Sequence, residues 1–237
     1  MSPADLTGRR VLLTGASRGV GRAVAQRLVR AGADVVGTAR DEQLLDEVAR
    51  AATGGPGSFV PVVADLTDPA TPGRLAEVVD QRWGALDVLV NNAGVMLARD
   101  ERFEDEPAGT LEETLAVNLV APHRLVLALL PALRAGKEPQ VVHVSSGAGS
   151  VAGMAEPGIG SYRVSKYALN GLVLMQAAQL HGEVAVNALD PGWVRTGLGG
   201  EQAPGTVEES AFGAMALLAE PTSVTGRFFK DGIEIPF

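Results

Sequence analysis

The 237-residue chain contains no cysteine, which excludes disulfide bonds, thiolate nucleophiles and sulfur-ligated metals. Its three scattered histidines are too few for a histidine-rich site, so we predict no metal. The formal net charge of -8 argues against nucleic acid as a partner, because a large basic surface would need unusual clustering of the few cations. The chemistry must therefore come from oxygen and nitrogen side chains.

Membrane signals are also missing. Residues 1–5 lack the basic-then-apolar order of a signal peptide. No uninterrupted apolar run approaches the ~20 residues that span a bilayer. We expect a soluble, cytoplasmic protein with no membrane partner.

What the sequence does contain is an alternation of short apolar runs with longer segments of helical periodicity. Such alternation predicts an α/β fold with one mostly parallel, doubly wound sheet and helices on both faces. We expect a single domain over residues 1–237. The predicted strands are seven, at residues 11–14, 34–38, 58–64, 86–90, 140–145, 184–189 and 227–229. The predicted helices cover residues 20–32, 41–51, 69–83, 110–133, 161–181 and 206–219, with a kink or break near Pro122 and Pro131.

A glycine-rich segment, residues 14–21, separates the first strand from the first helix. Glycines in this position permit a tight turn and a close backbone approach to a pyrophosphate at the helix N-terminus. The spacing is GxxxGxG, and an ordinary strand-to-helix turn would also use glycine. The context between strand and helix favours dinucleotide binding.

Tyr162 and Lys166 are four residues apart in a predicted helix and therefore share one face. An ammonium beside a phenol stabilises the phenolate, so we expect Lys166 to lower the pKa of Tyr162 towards neutral pH. The pair is a candidate acid/base unit. Taken alone, it could equally be a chance pair on a solvated helix face.

Four motifs in order carry a resemblance to the short-chain dehydrogenase/reductase family, and within it to carbonyl reductases. They are TGxxxGxG at residues 14–21, NNAG at 91–94, YxxxK at 162–166 and the Pro-Gly stretch at 190–196. The resemblance covers nearly the whole chain. It implies a Rossmann fold with the substrate site at the carboxyl ends of the strands.

The resemblance also implies catalytic roles. Tyr162 would be the general acid/base, and Lys166 would tune it and bind the nicotinamide ribose. Ser146 would hydrogen-bond the substrate oxygen, and Asn118 would hold a water in the proton relay, unless it only bonds a carbonyl freed near Pro122. Ser146 and Tyr162 are 16 positions apart, a few more than is usual in the family, which predicts a longer loop at residues 147–160. That leaves two neighbouring serines as weaker candidates for the substrate contact, Ser145 and Ser150.

Cofactor preference can be predicted from the end of the second strand. A site for NAD usually has an acidic residue there, whereas the 2′-phosphate of NADP requires positive charge. Here Arg40 ends the segment and Arg18 lies in the glycine loop, so we predict NADP(H), with Asp41 as the cap of the next helix. Asp65 would contact adenine or serve as a turn residue. The full set of predicted cofactor contacts is Gly15, Ser17, Arg18, Gly19, Val20, Gly21, Arg40, Asp65, Leu66, Asn92, Ala93, Gly94, Tyr162, Lys166, Pro191, Gly192, Val194 and Thr196.

These features predict an NADPH-dependent oxidoreductase that reduces a ketone or aldehyde, or runs the reverse reaction. The alternatives are a ketoreductase for carrier-bound acyl or polyketide substrates and a non-catalytic NADP-binding regulator. The family suggests a homodimer or homotetramer.

Elsewhere, we expect His143 to be a hydrogen-bonded strand residue and residues 101–106 a solvated acidic loop. Four residues hint at an apolar substrate pocket: Met96, Met154, Trp193 and Leu198.

Overall fold

The computed structural model describes residues 5–99 and 102–237, and within them eight strands form one sheet. The strands are β1 Arg10–Thr14, β2 Asp34–Ala39, β3 Ser58–Val63, β4 Val88–Asn91, β5 Gln140–Val144, β6 Ala185–Asp190, β7 Phe228–Lys230 and β8 Ile233–Ile235. Their spatial order is β3-β2-β1-β4-β5-β6-β7-β8, and every neighbouring pair is parallel except β7 and β8. The predicted doubly wound, mostly parallel sheet is confirmed.

The strand order reverses at β1, which lies between β2 and β4. In open α/β sheets a ligand binds in the crevice beyond the carboxyl ends of the strands at such a reversal. Thr14 ends β1 and Asn91 ends β4, so the segments that follow these residues border the crevice. Both segments carry predicted cofactor motifs.

Helices cover both faces of the sheet, because successive side chains of each strand point to opposite sides. Leu13 of β1 packs into a core with one set of helices, whereas Leu12 packs into the core on the other face. The first set is α1 Gly19–Arg30, α2 Glu42–Ala52 and α7 Val207–Leu218. The second set is α3 Thr71–Trp83, α5 Ala121–Arg134 and α6 Gly160–Gln179.

The prediction of seven strands was wrong by one, because β8 follows β7 in a tight hairpin. Asp231 and Gly232 form the turn with φ values of 52° and 78°. Positive φ at both central residues is typical of a type I′ turn, for which Asp-Gly is a preferred sequence. The sequence Asp231-Gly232 was therefore a hairpin signal, and the strand that follows it, β8, has only three residues.

The long helix predicted at residues 110–133 is divided into α4 Thr110–Leu115, a π-helical turn Ala116–Val120 and α5. The turn contains Asn118 and ends where the Ala121 N–H bonds the carbonyl of Ala116, five residues back. Pro122 follows at once and has no N–H to continue the ladder. The departure from α-helix thus lies at Pro122 as predicted, whereas the helix continues through Pro131 to Arg134.

The stretch Thr110–Arg134 is long and apolar enough to cross a membrane by length and composition alone. Leu125, Leu129 and Leu133 are buried in the core beneath the sheet, where α5 contacts α3. A core helix meets the same length and composition test.

His143 lies inside β5 and is fully buried in a chain of polar side chains. Its Nε2 is 2.9 Å from Gln176 Oε1, and its Nδ1 is 3.4 Å from Asn91 Nδ2. Since an amide oxygen can only accept, Nε2 carries the proton and Nδ1 accepts. Burial lowers the pKa of His143 to about 4, against the opposing effect of the Gln176 hydrogen bond, with Lys166 and His123 lowering it further.

This depressed pKa makes stability depend on pH. In the folded protein His143 has a pKa of about 4, whereas in the unfolded chain it has the ordinary pKa of about 6.5. Its contribution to stability is therefore fully present above pH 6.5 and is lost as the pH falls towards 4. We expect His143 to account for a loss of about 2 kcal/mol in unfolding free energy between pH 7 and pH 5.

Denaturant unfolding of the wild type and of His143→Asn across this range measures the effect. The variant should show the shallower dependence on pH, whatever its absolute stability. His181→Asn, which removes an exposed histidine, serves as the control and should keep the wild-type slope. Equal slopes for His143→Asn and the wild type would contradict the prediction.

Candidate active site

A cleft of about 2040 Å³ lies beyond the carboxyl ends of the strands. Its walls are the glycine loop and the segments after β2, β3, β4, β5 and β6. All the predicted cofactor residues line the cleft except Gly21. All the predicted catalytic residues line it except Asn118. Residues from six separate parts of the chain thus meet in one place.

The glycine loop is packed so closely that side chains would not fit. A Cβ on Gly21 would lie 2.1 Å from the carbonyl oxygen of Gly15. Gly15 and Gly19 have φ values of 67° and 54°, where L-residues are strained. Helix α1 begins at Gly19, and the preceding Arg18 makes no side-chain cap bond to the described residues. The N–H groups of the first turn are therefore available to an anion.

Asn92 and Thr14 brace this loop from the adjacent strand ends. Asn92 Nδ2 donates to the carbonyls of Thr14, at 2.9 Å, and Gly15, at 3.2 Å. The Thr14 hydroxyl accepts from the N–H groups of Asn92 and Ala93, both at 3.0 Å. The side-chain amide of Asn92, a predicted cofactor residue, thus holds the glycine loop in shape.

The end of the cleft beside β2 and β3 carries two exposed arginines and two aspartates that line it, Asp41 and Asp65. Arg18 and Arg40 are both exposed and line the cleft. Asp41 accepts from the N–H of Leu44 at 3.0 Å, which confirms its role as the cap of α2. Buried Thr38 Oγ1, also at the wall, has no partner among the described residues. The glycine cradle, the open helix N-terminus and the arginines together fit a dinucleotide.

Asp65 has the turn role that the sequence left open. One carboxylate oxygen accepts from the N–H of Thr67 at 2.9 Å and from its hydroxyl at 2.8 Å. These bonds lower the pKa of Asp65, and nearby Arg40 lowers it further. The residue still lines the cleft, so the turn and an adenine contact are compatible.

Lys166 and Tyr162 share the buried end of the cleft. Lys166 Nζ donates to the Val144 carbonyl at 2.8 Å and lies 5.6 Å from the centre of the Tyr162 ring. Burial lowers the pKa of Lys166 to about 8, and the charge of Asp190 opposes this shift. Burial also raises the pKa of Tyr162 to about 12, against a hydrogen bond from Ser146 that lowers it, while Asp190 raises it further.

The expectation that Lys166 lowers the pKa of Tyr162 was therefore wrong for this structure. Desolvation disfavours both charged forms, the phenolate as well as the ammonium, and Lys166 is not among the groups that shift the pKa of Tyr162. At neutral pH the phenol is protonated. That state suits a proton donor.

Of the three candidate serines, only Ser146 is among the groups that shift the pKa of Tyr162, which it lowers; its hydroxyl also accepts from the Ala148 N–H at 3.2 Å. Ser145 Oγ instead donates to Asn170 Oδ1 at 2.6 Å within the core. Ser150 Oγ accepts from the Gly153 N–H at 3.0 Å and so fixes a turn. All three hydroxyls thus have local hydrogen bonds, and Ser146 is the one that also acts on the Tyr162 phenol.

Asn118 uses its whole side chain for structure. Its Oδ1 accepts from the Val95 N–H at 2.8 Å, and its Nδ2 donates to the Val95 carbonyl and to Ser165 Oγ, both at 2.9 Å. A water in the proton relay would have to bind the main-chain carbonyl. In an α-helix that carbonyl would bond the N–H of residue 122, which proline lacks.

Asp190 was missed as a site residue by the sequence reasoning. It ends β6, is 6% exposed, and accepts from the Gly192 N–H at 2.9 Å, with Lys230 Nζ 3.9 Å from its other oxygen. Its charge raises the pKa of both Tyr162 and Lys166. The sequence offers a polar residue before Pro191 as a signal, but not its burial.

The apolar pocket prediction is right in part. Met96, Trp193 and Leu198 line the cleft, whereas Met154 is exposed and does not. The acidic loop at residues 101–106 is only partly solvated as expected, because the Glu106 carboxylate accepts hydrogen bonds from Ser161 of helix α6. Residue 101 of that loop lies outside the described residues.

The sequence model of the short chain dehydrogenase family matches residues 9–206. The chain belongs to the short-chain dehydrogenase/reductase family. Members of this family are oxidoreductases that act on CH–OH and C=O groups with a nicotinamide cofactor.

Curated relatives within the family differ in substrate. The chain is 37% identical over 172 residues to a fatty acyl-CoA reductase of Mycobacterium tuberculosis, with 73% of this chain and 58% of the relative covered. It is 31% identical to a D-beta-hydroxybutyrate dehydrogenase of Rhizobium meliloti, with 89% and 83% covered. The chain thus spans little more than half the length of the mycobacterial relative.

Among solved structures, an NADPH-bound carbonyl reductase from chicken fatty liver superposes with a TM-score of 0.87 at 31% identity, covering 98% of this chain and 100% of that one. A short chain dehydrogenase from Burkholderia cenocepacia in complex with NADP has a TM-score of 0.85 at 27% identity, with 96% and 98% covered. These likenesses agree with a Rossmann fold and a nicotinamide cofactor.

Proposed function

We propose that the chain is an NADPH-dependent carbonyl reductase of the short-chain dehydrogenase/reductase family, with Tyr162 as the general acid/base. It would reduce a ketone or aldehyde to an alcohol, or run the reverse reaction, as a single domain over residues 1–237. The observation that carries this proposal is that Tyr162, Ser146 and Lys166 line one cleft with the glycine loop, with Lys166 Nζ 5.6 Å from the centre of the Tyr162 ring.

The cofactor would supply a hydride, and the residues of the chain would manage the oxygen and its proton. Ser146 would donate a hydrogen bond to the carbonyl oxygen, and Tyr162 would give it a proton as negative charge develops. Lys166, with its pKa of about 8, would hold the nicotinamide ribose and pass a proton to the phenol. The Asn118 carbonyl would hold the water that links Lys166 to solvent.

Arg40 and Arg18 support NADP(H) over NAD(H). Both are exposed at the adenosine end, and guanidinium groups suit a phosphate. Asp41, the nearest acid after β2, uses one carboxylate oxygen to cap α2. NADPH-bound and NADP-bound relatives of the same fold also support this choice.

Two alternatives remain open to the same experiment. A ketoreductase for carrier-bound acyl or polyketide substrates is supported by 37% identity over 196 residues to a 3-oxoacyl-[acyl-carrier-protein] reductase of Pseudomonas aeruginosa. A non-catalytic regulator would bind NADPH without turning over any carbonyl. The proximity of Tyr162, Ser146 and Lys166 favours an enzyme.

We further infer a homodimer or homotetramer that pairs through helices α4 to α6. Apolar side chains are exposed on the outer faces of these helices, which contact one another directly or through the π-helical turn. The residues concerned are Leu111, Leu127, Val164, Tyr167 and Leu174. Since α5 packs in the core, we also infer a soluble, cytoplasmic protein, which fractionation of cells would test.

Tyr162→Phe should lower the turnover of carbonyl substrates by about 10²- to 10⁴-fold, because the phenylalanine ring has no proton to give. NADPH consumption over a panel of aldehydes, ketones and quinones, free and carrier-bound, measures this. The other tyrosine of the chain provides the control: Tyr167→Phe removes a hydroxyl from the same helix outside the cleft and should leave the rate unchanged. NADPH binding without turnover of any substrate by the wild type would favour the regulator instead.

Arg40→Asp should shift cofactor preference towards NADH by about tenfold or more in the ratio of kcat/KM values, since a carboxylate repels the 2′-phosphate and can bond a 2′-OH. Arg30→Asp makes the same charge change at an exposed position outside the cleft and should keep the ratio. A ratio unaltered by Arg40→Asp would refute the phosphate role.

Leu127→Lys should convert the oligomer to a smaller species, because a buried lysine at a helical interface is strongly disfavoured. Light scattering coupled to size exclusion measures the mass. Val63→Lys, an equivalent change at an exposed valine on β3, should have no effect. A monomeric wild type would disprove the assembly.

A further inference from the structure

The loop of residues 147–160 forms one wall of the substrate end of the cleft. It leaves Ser146, makes 3-10 turns at Gly147–Gly149 and Gly153–Ala155, and enters helix α6 one residue before Ser161. Five of its members that line the cleft are Ala148, Ser150, Ala152, Glu156 and Ile159. The loop contains five glycines, so its own backbone gives it little rigidity.

Arg163, the residue after the predicted acid Tyr162, reaches back under this loop. Although it is an arginine on a helix, it is only 8% exposed. Its guanidinium donates to the Gly153 carbonyl at 2.8 Å, to the Gly158 carbonyl at 3.0 Å and to the Pro157 carbonyl at 3.4 Å. It also donates to the Glu156 carboxylate at 3.2 Å, which is largely exposed.

The corner between the loop and α6 is strained. Ile159 has φ 50° and ψ 38°, a left-handed conformation that is unfavourable for a β-branched residue. Such a conformation persists only where its surroundings hold it. Arg163 bonds both sides of the corner, because its backbone N–H donates to the Ile159 carbonyl at 2.9 Å and its Nε donates to Gly158.

A second remote side chain holds the other side of this corner. The Glu106 carboxylate accepts from the Ser161 N–H at 2.9 Å and from the Ser161 hydroxyl. Helix α6 has no side-chain cap at Ile159, so Glu106 takes the place of one from a loop beyond β4. Glu106 therefore fixes the helix, Asn170 Nδ2 holds the start of the loop through the Gly149 carbonyl at 3.1 Å, and Arg163 holds the part from Gly153 to Gly158.

We propose that Arg163 is a positioning residue that holds the 147–160 loop as the substrate wall and so determines which carbonyl compounds fit. The assignment of this wall to a substrate rests on the proposed function. The claim that Arg163 orders the loop does not depend on it. The cofactor half of the cleft is built from other segments and makes no contact with this guanidinium among the bonds above. Arginine is needed because its planar fork reaches three carbonyls at once, which the single ammonium of lysine cannot reproduce.

Arg163→Lys and Arg163→Met are tested against the wild type by hydrogen exchange and by steady-state kinetics. We expect the amides of residues 150–158 to exchange about tenfold faster or more in the variants. The loop can then open without first breaking hydrogen bonds to the guanidinium. We expect KM for carbonyl substrates to rise about tenfold, with kcat changed about twofold at most and the Kd for NADPH unchanged. The rise should differ between small and bulky ketones.

Arg227→Met is the matched control, because this exposed arginine pairs with Glu234 away from the cleft, and it should leave exchange and kinetics unchanged. Unchanged exchange of residues 150–158 in both Arg163 variants would overturn the proposal, as would a fall in melting temperature with KM unaltered. If the wild type turns over no carbonyl, the proposed function fails while the exchange result still decides the role of Arg163.

Discussion

Burial of an ammonium beside a phenol is the constraint on which the rest of the site depends. Removing both groups from water favours their neutral forms, so the pKa of Lys166 falls to about 8 while that of Tyr162 rises to about 12. Two features keep the cation in place: the Val144 carbonyl at 2.8 Å and the charge of Asp190. The wall of the cleft thus holds a protonated phenol next to an amine whose pKa is about 8.

The sheet explains how these groups come together. Val144 ends β5 and Asp190 ends β6, and the two strands are neighbours in parallel register. The middle of each of these strands is an apolar run and is buried between the helices. The polar residues at the carboxyl ends of the strands therefore lie together at one edge of the sheet. Asp190 acts on both Tyr162 and Lys166 in the same sense, since it favours the protonated form of each. In the reduction that we propose, this arrangement would keep on the phenol the proton that it gives to the carbonyl oxygen.

Sequence reasoning predicted the parallel sheet because each strand is a nearly unbroken apolar run between turn residues. It placed the glycine loop correctly because the close packing of Gly21 on Gly15 admits no other residue. It was wrong about the sign of the Tyr162 pKa shift, since spacing on a helix reports that two groups are near but not how deeply they are buried. It also missed Asp190 for the same reason.

The two halves of the cleft are held by different kinds of interaction, and this difference limits what sequence can show. The cofactor half depends on short-range sterics and on bonds between neighbouring strand ends, such as those of Asn92 to the glycine loop. Such contacts require particular residues at particular spacings and therefore leave a motif. In the proposed substrate half, one long side chain, Arg163, crosses beneath a loop and bonds its carbonyls at Gly153 and Gly158. A long arginine can reach many positions, so no spacing rule marks its targets, and the substrate wall becomes visible only when the chain is folded.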